Sequence, residues 1–323
     1  MVAGVNKTEP VRRLRTSPAG NEAPRRKAQA VAPARTPGNL PDMPPHVAIV
    51  TDSTAYLGRD ALDRHQITIV PLTVVIGDEA LEEGTEISAP AVARALQRRR
   101  PVTTSRPGPL EFAAAYEAAA ASGAAAIVSL HLSADFSGTY DAALIAAKDA
   151  PVPVRVVDTG MVAMALGFTV LAAAETAKAG GTADEVVVAA EKRAADTSAY
   201  FYVDTLDYLR RGGRIGTAQA LFGSALAVKP LLRLADGRIE LLEKVRTASK
   251  AITRLEEIVV EQAGTRRVAL AVHHLAAADR AATLADRLRE RVHGLDDLVV
   301  SEVGAVIGAH AGPGLLGVVI SPH

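Results

Sequence analysis

The sequence predicts an α/β protein: an N-terminal domain with a largely parallel sheet flanked by helices, a second α+β domain, and a ligand site between them. Three observations carry this reading. From His46 onward, short β-branched runs alternate with helical patterns, as in parallel sheets covered on both faces. Beyond residue 198, strands and long amphipathic helices follow in a different, mixed order. Finally, polar turns recur after strands, at the edge where open α/β sheets place their ligands.

The elements follow in chain order. Residues 1–45 are rich in Pro, Ala and Arg, without apolar periodicity, and carry eight Lys/Arg against three Asp/Glu. Such a segment buries too little surface to offset its ordering entropy, so disorder is expected. A solvated extension is the first reading, and contact with an acidic partner or a membrane surface the alternative. An N-terminal domain is expected over 46–198. "HVAIVTDST" (46–54) reads as a strand entering a polar turn, and "TIVPLTVVIG" (68–77) as a second strand. A helix begins at 88–96, with Ser88 as N-cap and Pro90 in the first turn. Residues 109–121 are helical up to Gly123, 125–130 form a strand, 138–150 a helix and 154–158 a strand.

The apolar run 161–174 ends at Glu175 and is too short for a membrane span, so it reads as a buried helix. "TADE" at 182–185 has the spacing of a capping box, Thr182 to Glu185. The second domain is expected over 199–323. Its strands are predicted at 199–205, 238–245 and 267–274, its helices at 249–264 and 277–294, and two closing strands at "DLVVSEVG" and "LGVVIS".

Composition narrows the function. The chain has 323 residues, 36 basic and 36 acidic, a formal net charge of zero and no cysteine. No electrostatic footprint for nucleic acid exists, and disulfides, thiolate chemistry and cysteine-ligated metals are excluded. The eight histidines (46, 65, 131, 273, 274, 293, 310, 323) show no His-x-His or His-x-x-x-His pair, so no metal is expected. Without an apolar N-terminal leader, the expectation is a cytoplasmic protein.

"RRGGRIG" (210–216) lacks the lysine-hydroxyl ending of a phosphate loop, and Gly-x-Ser-x-Gly is absent around Ser137. Asp135, Ser137 and His310 could serve a hydrolase, but no spacing argues for it. The polar groups read better as donors around one buried anion. Thr104, Ser105 and Ser137 supply hydroxyls, Arg214 a guanidinium and His310 a ring N–H, with glycine beside several of them. In "GAVIGAHAGPGLLGV" (304–318), His310 is the only ionisable residue, set where small neighbours let the chain approach a ligand.

Seven stretches, "VAIVTDST", "IVPLTVVIGDE", "PVTTSRPGPLEF", "SADFSGTYDAA", "VDTLDYLRRGGRIG", "ALAVKPLL" and "GAVIGAHAGPGLLGV", occur in the order expected of the DegV family. The resemblance spans roughly 46–323. DegV proteins are similar to the FakB subunits that carry fatty acids to a bacterial fatty acid kinase. The resemblance implies a non-enzymatic carrier of a long-chain fatty acid, with no cofactor. Phosphorylation to acyl phosphate would belong to a separate kinase catalytic subunit, with transient membrane contact as a further expectation.

Residue by residue, the resemblance implies that "TSRP" puts a carboxylate-binding threonine at Thr104, and "FSGT" a head-group serine at Ser137 with backbone from Gly138. It assigns the Gly-Gly-Arg-Ile arginine to Arg214 and the histidine to His310, and sets Ser53 and Asp52 near the same site. The sequence departs from the family at Arg106, where glutamine is usual, at Ala134 and Asp135, and across 158–168. The alternative is a serine/histidine-dependent hydrolase or acyltransferase using Ser137 and His310. Residues 221–232 and 161–174 are the expected tunnel lining, on apolarity alone.

Overall fold

β-Branched and aliphatic residues in short runs, each closed by a polar turn, build the first sheet. The structure, a computed structural model, describes residues 46–221 and 229–323. β1 (Val47–Asp52) ends in a 3₁₀ turn, Ser53–Ala55, and α1 (Arg59–His65) leads to β2 (Thr68–Val70), β3 (Thr73–Ile76) and β4 (Glu79–Glu82). Then come α2 (Ala89–Gln97), β5 (Val102–Ser105), α3 (Pro109–Ala121), β6 (Ala126–His131), α4 (Thr139–Ala147) and β7 (Val154–Asp158). α5 (Met164–Lys178) and α6 (Ala183–Asp196) precede β8 (Ser198–Tyr202) and α7 (Asp207–Arg211). The chain continues through β9 (Lys229–Ala235), β10 (Arg238–Val245), α8 (Ala248–Ala263), β11 (Val268–His274) and α9 (Ala278–Arg291). It closes with β12 (Leu295–Glu302), α10 (Ala305–Ala311) and β13 (Leu316–Pro322).

Among the described residues three sheets result. β2-β1-β6-β7 is parallel throughout. Its central strand β6 is buried along almost its whole length, as a parallel strand covered on both faces must be. Phe112, Tyr116 and Ala143 of α3 and α4 pack on one face against Val50 and Ile127. Leu166, Val170 and Ala173 of α5 cover the other, against Ile49, Val128 and Leu130. α5 also meets Ala269, Ala271 and Val319 of the second sheet, β10-β9-β8-β13-β11-β12, so this helix fills the layer between two sheets. α8 and α9 cover that sheet's far face through Leu255, Val259, Leu284 and Leu288. In the second sheet only β11 and β12 run parallel.

The third sheet, β4-β3-β5, is small and antiparallel, and departs from the expectation of one strand over 68–77. Pro71 has no N–H for the ladder and a fixed φ, so the strand breaks there. The next amide, Leu72, donates to Ser53 Oγ at 3.0 Å instead. Two further segments differ from their sequence reading. Thr103–Ser105 lie within β5 and not in a turn after a parallel strand, and the glycine-rich segment around His310 contains the helix α10. The capping box at Thr182 and Glu185 is present, whereas Ser88 occupies its N-cap position without a side-chain bond.

Candidate functional site

The near face of the six-stranded sheet and the loops opposite it enclose a cavity. Thr104, Ser105, Arg106, Ser137, Arg214 and His310 line it, together with an apolar wall that includes Leu72, Leu132, Phe136, Val162, Phe201 and Leu315. Thr104 Oγ1 and His310 Nε2 are 2.8 Å apart, although the residues come from β5 and the last turn of α10. They meet because α10 packs across β3, β5 and α2, where Ala305, Val306 and Ala309 share a core with Val74 and Val92.

A polar network fixes α10 at its other end. Its N-cap, Gly304, has no side chain to offer, and the buried carboxylate of Glu83 takes that role. Glu83 Oε1 accepts the Val306 N–H at 2.7 Å and Tyr56 Oη–H at 3.3 Å, and Oε2 accepts the Ser53 hydroxyl at 2.6 Å. Tyr56 Oη in turn accepts the Ile307 N–H at 3.3 Å. Burial pushes the Glu83 carboxyl up from its ordinary range, and burial beside Glu83 does the same to the Tyr56 hydroxyl. Ser53 is thus turned toward Glu83 and the β2–β3 link, while its neighbour Thr54 stands in the cavity wall.

Asp52 is engaged elsewhere as well. Its Oδ1 accepts from the Thr54 amide and hydroxyl, at 3.0 and 2.6 Å, and its Oδ2 lies 3.1 Å from His131 Nδ1 and 2.9 Å from the Leu132 amide. His131 Nε2 meets Ser129 Oγ at 2.7 Å, and Ser129 Oγ accepts the Tyr116 hydroxyl at 3.0 Å. Asp52, His131 and Ser129 have the order of a catalytic triad, yet all three are fully buried and none lines the cavity. They latch the loop after β1 to the loop after β6. Neither this latch nor the Glu83 network has a sequence signal, because each joins residues tens of positions apart.

The second half of the polar end centres on glycine. A methyl group on Gly212 would overlap the His310 imidazole, so residue 212 must be small for the ring to sit where it does. Arg214 donates through Nε to the Phe136 carbonyl at 2.8 Å and through Nη1 to the Gly212 carbonyl. Arg106 Nη1 donates to the Gly138 carbonyl at 2.8 Å and covers the space a Cβ at Gly138 would need. Gly138 is the N-cap of α4 and itself lies outside the cavity wall. Ser105, at the exposed mouth, donates to the Arg106 carbonyl at 3.3 Å. Ser137 Oγ pairs with Thr139 Oγ1 at 2.8 Å, not with His310.

Burial, then the nearby Arg214 charge, lowers the His310 pKa to about 4. The ring is therefore neutral at pH 7, with one N–H. When that hydrogen is on Nε2 it points at Thr104 Oγ1, and the threonine's own hydrogen is left free for an anion. The hydroxyls of Thr104, Ser105 and Ser137, a neutral imidazole and two guanidiniums thus line the same cavity as the apolar wall.

The departures from the family pattern have places too. Asp135 pairs with Arg238 at 2.9 Å. Ala163, in the wall, adopts φ 57° and ψ −149°, a conformation that favours glycine, and the amide that follows it, Met164 N–H, is held by His273 Nε2 at 3.2 Å. The expected lining is placed differently. Residues 222–228 lie outside the described residues, and Leu231 and Leu232 belong to packed cores. Of 161–174, Val162 and Ala163 line the cavity, and the rest of that segment packs between the two large sheets. β8 and β13 form the wall instead. Among the described residues no cluster of three His, Cys, Asp or Glu is placed to hold a metal ion, and no helix is long and apolar enough to cross a membrane.

Comparison with known proteins adds a further finding. Residues 46–323 match the family model described as "Uncharacterised protein, DegV family". A DegV domain-containing protein of Streptomyces coelicolor is 76% identical over 276 residues, covering 85% of this chain and 98% of that protein. Among solved structures, a DegV family protein from Thermus thermophilus described by its fatty acid binding superposes with a TM-score of 0.81 at 32% identity, over 86% of this chain and 100% of that one. DegV of Bacillus subtilis, described as a fatty acid binding protein, gives 0.79 at 35% identity, over 86% and 99%.

Proposed function

The chain belongs to the DegV family, and from that premise we propose that it binds a long-chain fatty acid, burying the alkyl chain and presenting the carboxylate. The observation that carries this reading is the 2.8 Å pairing of Thr104 with His310 at the polar end of an otherwise apolar cavity. A carboxylate withdrawn from water must receive hydrogen bonds or opposite charge. In this proposal the hydroxyls of Thr104, Ser105 and Ser137 supply the hydrogen bonds, His310 orients Thr104 from behind, Arg214 supplies the charge, and Gly138 holds Arg106 through its carbonyl. Ser53 acts from behind, through Glu83 and α10. Burying roughly 14 methylenes at about 0.8 kcal/mol each gives on the order of 11 kcal/mol before association costs. Binding of that strength needs no catalytic group.

The proposal extends to a partner. A fatty acid kinase catalytic subunit would phosphorylate the presented carboxylate to an acyl phosphate, in the cytoplasm, with this chain as the carrier. It also keeps a domain division at 198/199, one residue inside β8, the first strand of the six-stranded sheet. A hydrolase built on Ser137 and His310 would need those two side chains paired, and each bonds another residue. The test is extraction of the purified protein followed by mass spectrometry. A long-chain fatty acid in stoichiometric amount is expected, and repeated ligand-free extracts that also fail to take up added fatty acid would overturn the reading.

A further inference from the structure

Phe201, Gly317 and His273 stand in one row across β8, β13 and β11. Cross-strand partners project from the same face of a sheet, and all three residues line the cavity. The middle one has no side chain, so the wall has a trough between a phenyl ring and an imidazole. The imidazole cannot swing into that trough: Nε2 accepts the Met164 amide at 3.2 Å and Nδ1 lies 3.1 Å from Ser301 Oγ. Gly317 is not in a left-handed conformation, and a Cβ there would stand 3.2 Å from Phe201 Cβ and 4.0 Å from His273 Cβ. The backbone thus accepts a side chain at 317 after a shift of a few tenths of an ångström. What glycine leaves between Phe201 and His273 is the room that a side chain would take.

The next row on the same face is Ala199, Val319 and Ala271, of which Ala199 and Val319 also line the cavity. The polar end is fixed at His310, a few residues before β13 begins. From there the lining follows the strand through Leu315, Gly317 and Val319. Leu315 to Val319 covers about 13 Å of strand. That is the reach of roughly ten methylenes at ~1.2 Å per bond of an extended chain.

We propose that Gly317 is a specificity-determining residue: the trough it leaves is the passage by which the distal half of a long acyl chain runs along β13 past Phe201 and His273. This rests on the fatty-acid reading of the cavity. A branched side chain at 317 would close the passage and leave the head-group end untouched, converting a long-chain site into a medium-chain one.

Calorimetry on delipidated full-length protein tests this, with palmitate and decanoate as ligands and Gly317→Val and Gly317→Ala as variants. For Gly317→Val, palmitate affinity is expected to fall by roughly thirtyfold or more while decanoate stays within about threefold of wild type. Gly317→Ala should shift the same ratio by a smaller factor, and it decides the matter should the valine variant fail to fold. Unchanged palmitate binding, or parallel loss of both acids, would overturn the role of Gly317 while leaving the fatty-acid reading intact. A wild-type protein that binds neither acid overturns that reading instead.

Discussion

Gly212 and His310 occupy a space that holds only one side chain: a methyl group on residue 212 would fall on the imidazole of His310. Gly212 has φ −77° and ψ −8°, which alanine adopts freely, so the glycine serves the contact and not the turn. Gly212→Ala is therefore expected to displace the ring, break its bond to Thr104 and weaken fatty-acid binding by about tenfold or more, in line with loss of a hydrogen bond to a charged group. Fold stability should barely move. Titration with fatty acid alongside thermal unfolding checks both halves, and wild-type affinity in this variant would refute the imidazole's part in the site.

Acid should destabilise the protein through two buried imidazoles. His273 and His310 both take a proton only at about pH 4 in the folded chain, each chiefly because of burial. In the unfolded chain they take it near 6.5, so the unfolded state binds more protons between those values. The stability is complete above pH 6.5 and drains as pH falls toward 4, by on the order of 3 kcal/mol for the nearly inaccessible His273. Urea unfolding at pH 7 and pH 4.5 should show the decline, and His273→Gln should flatten it. An equal slope in the variant would rule out His273 as the cause.

Removing the Glu83 carboxylate leaves three partly or fully buried donors without an acceptor: the Ser53 hydroxyl, the Val306 amide and the Tyr56 hydroxyl. Glu83→Ala should cost about 3 kcal/mol or more, since three groups are orphaned and each costs roughly 1–3. Glu83→Gln, which keeps an acceptor oxygen, should cost about 1. Because α10 carries His310, ligand affinity should fall with stability in the alanine variant and recover largely with glutamine. A stability loss with unchanged affinity would mean that α10 is held by its apolar face alone.

Local signals were enough for much of the fold. The helix at 109–121 starts with proline, β7 is a short β-branched run, and β10 alternates; their observed bounds match the sequence reading. The capping box at Thr182 has the same origin, because its partners lie three residues apart. Of the residues singled out in the sequence, Thr104, Ser105, Ser137, Arg214 and His310 line the cavity while Ser53 and Gly138 do not, and the arrangement was less legible still. Thr104 looked like a turn residue because a four-residue edge strand beside prolines has little periodicity. α10 was hidden by three glycines at its ends and middle. Glu83 sits in the acidic run "ALEEGTEIS", which reads as a solvated loop, although it is buried under α10. Ser53 and Asp52 look like free polar groups at a strand end, yet their partners Glu83 and His131 come from other elements. Which distant acceptor a hydroxyl finds is decided by packing, not by its neighbours in sequence.

The strand order β10-β9-β8-β13-β11-β12 has a consequence for how the protein is made. β13 is the last of these strands to leave the ribosome, but it sits between β8 and β11. Without it the order leaves β10-β9-β8 and β11-β12 as two separate pieces, each with an unpaired edge open to wrong pairing. Its insertion joins them and, in the same step, brings Gly317 and Val319 into the chamber next to His310. The sheet and the chamber are therefore completed by the same strand, and a chain that lacks β13 has neither.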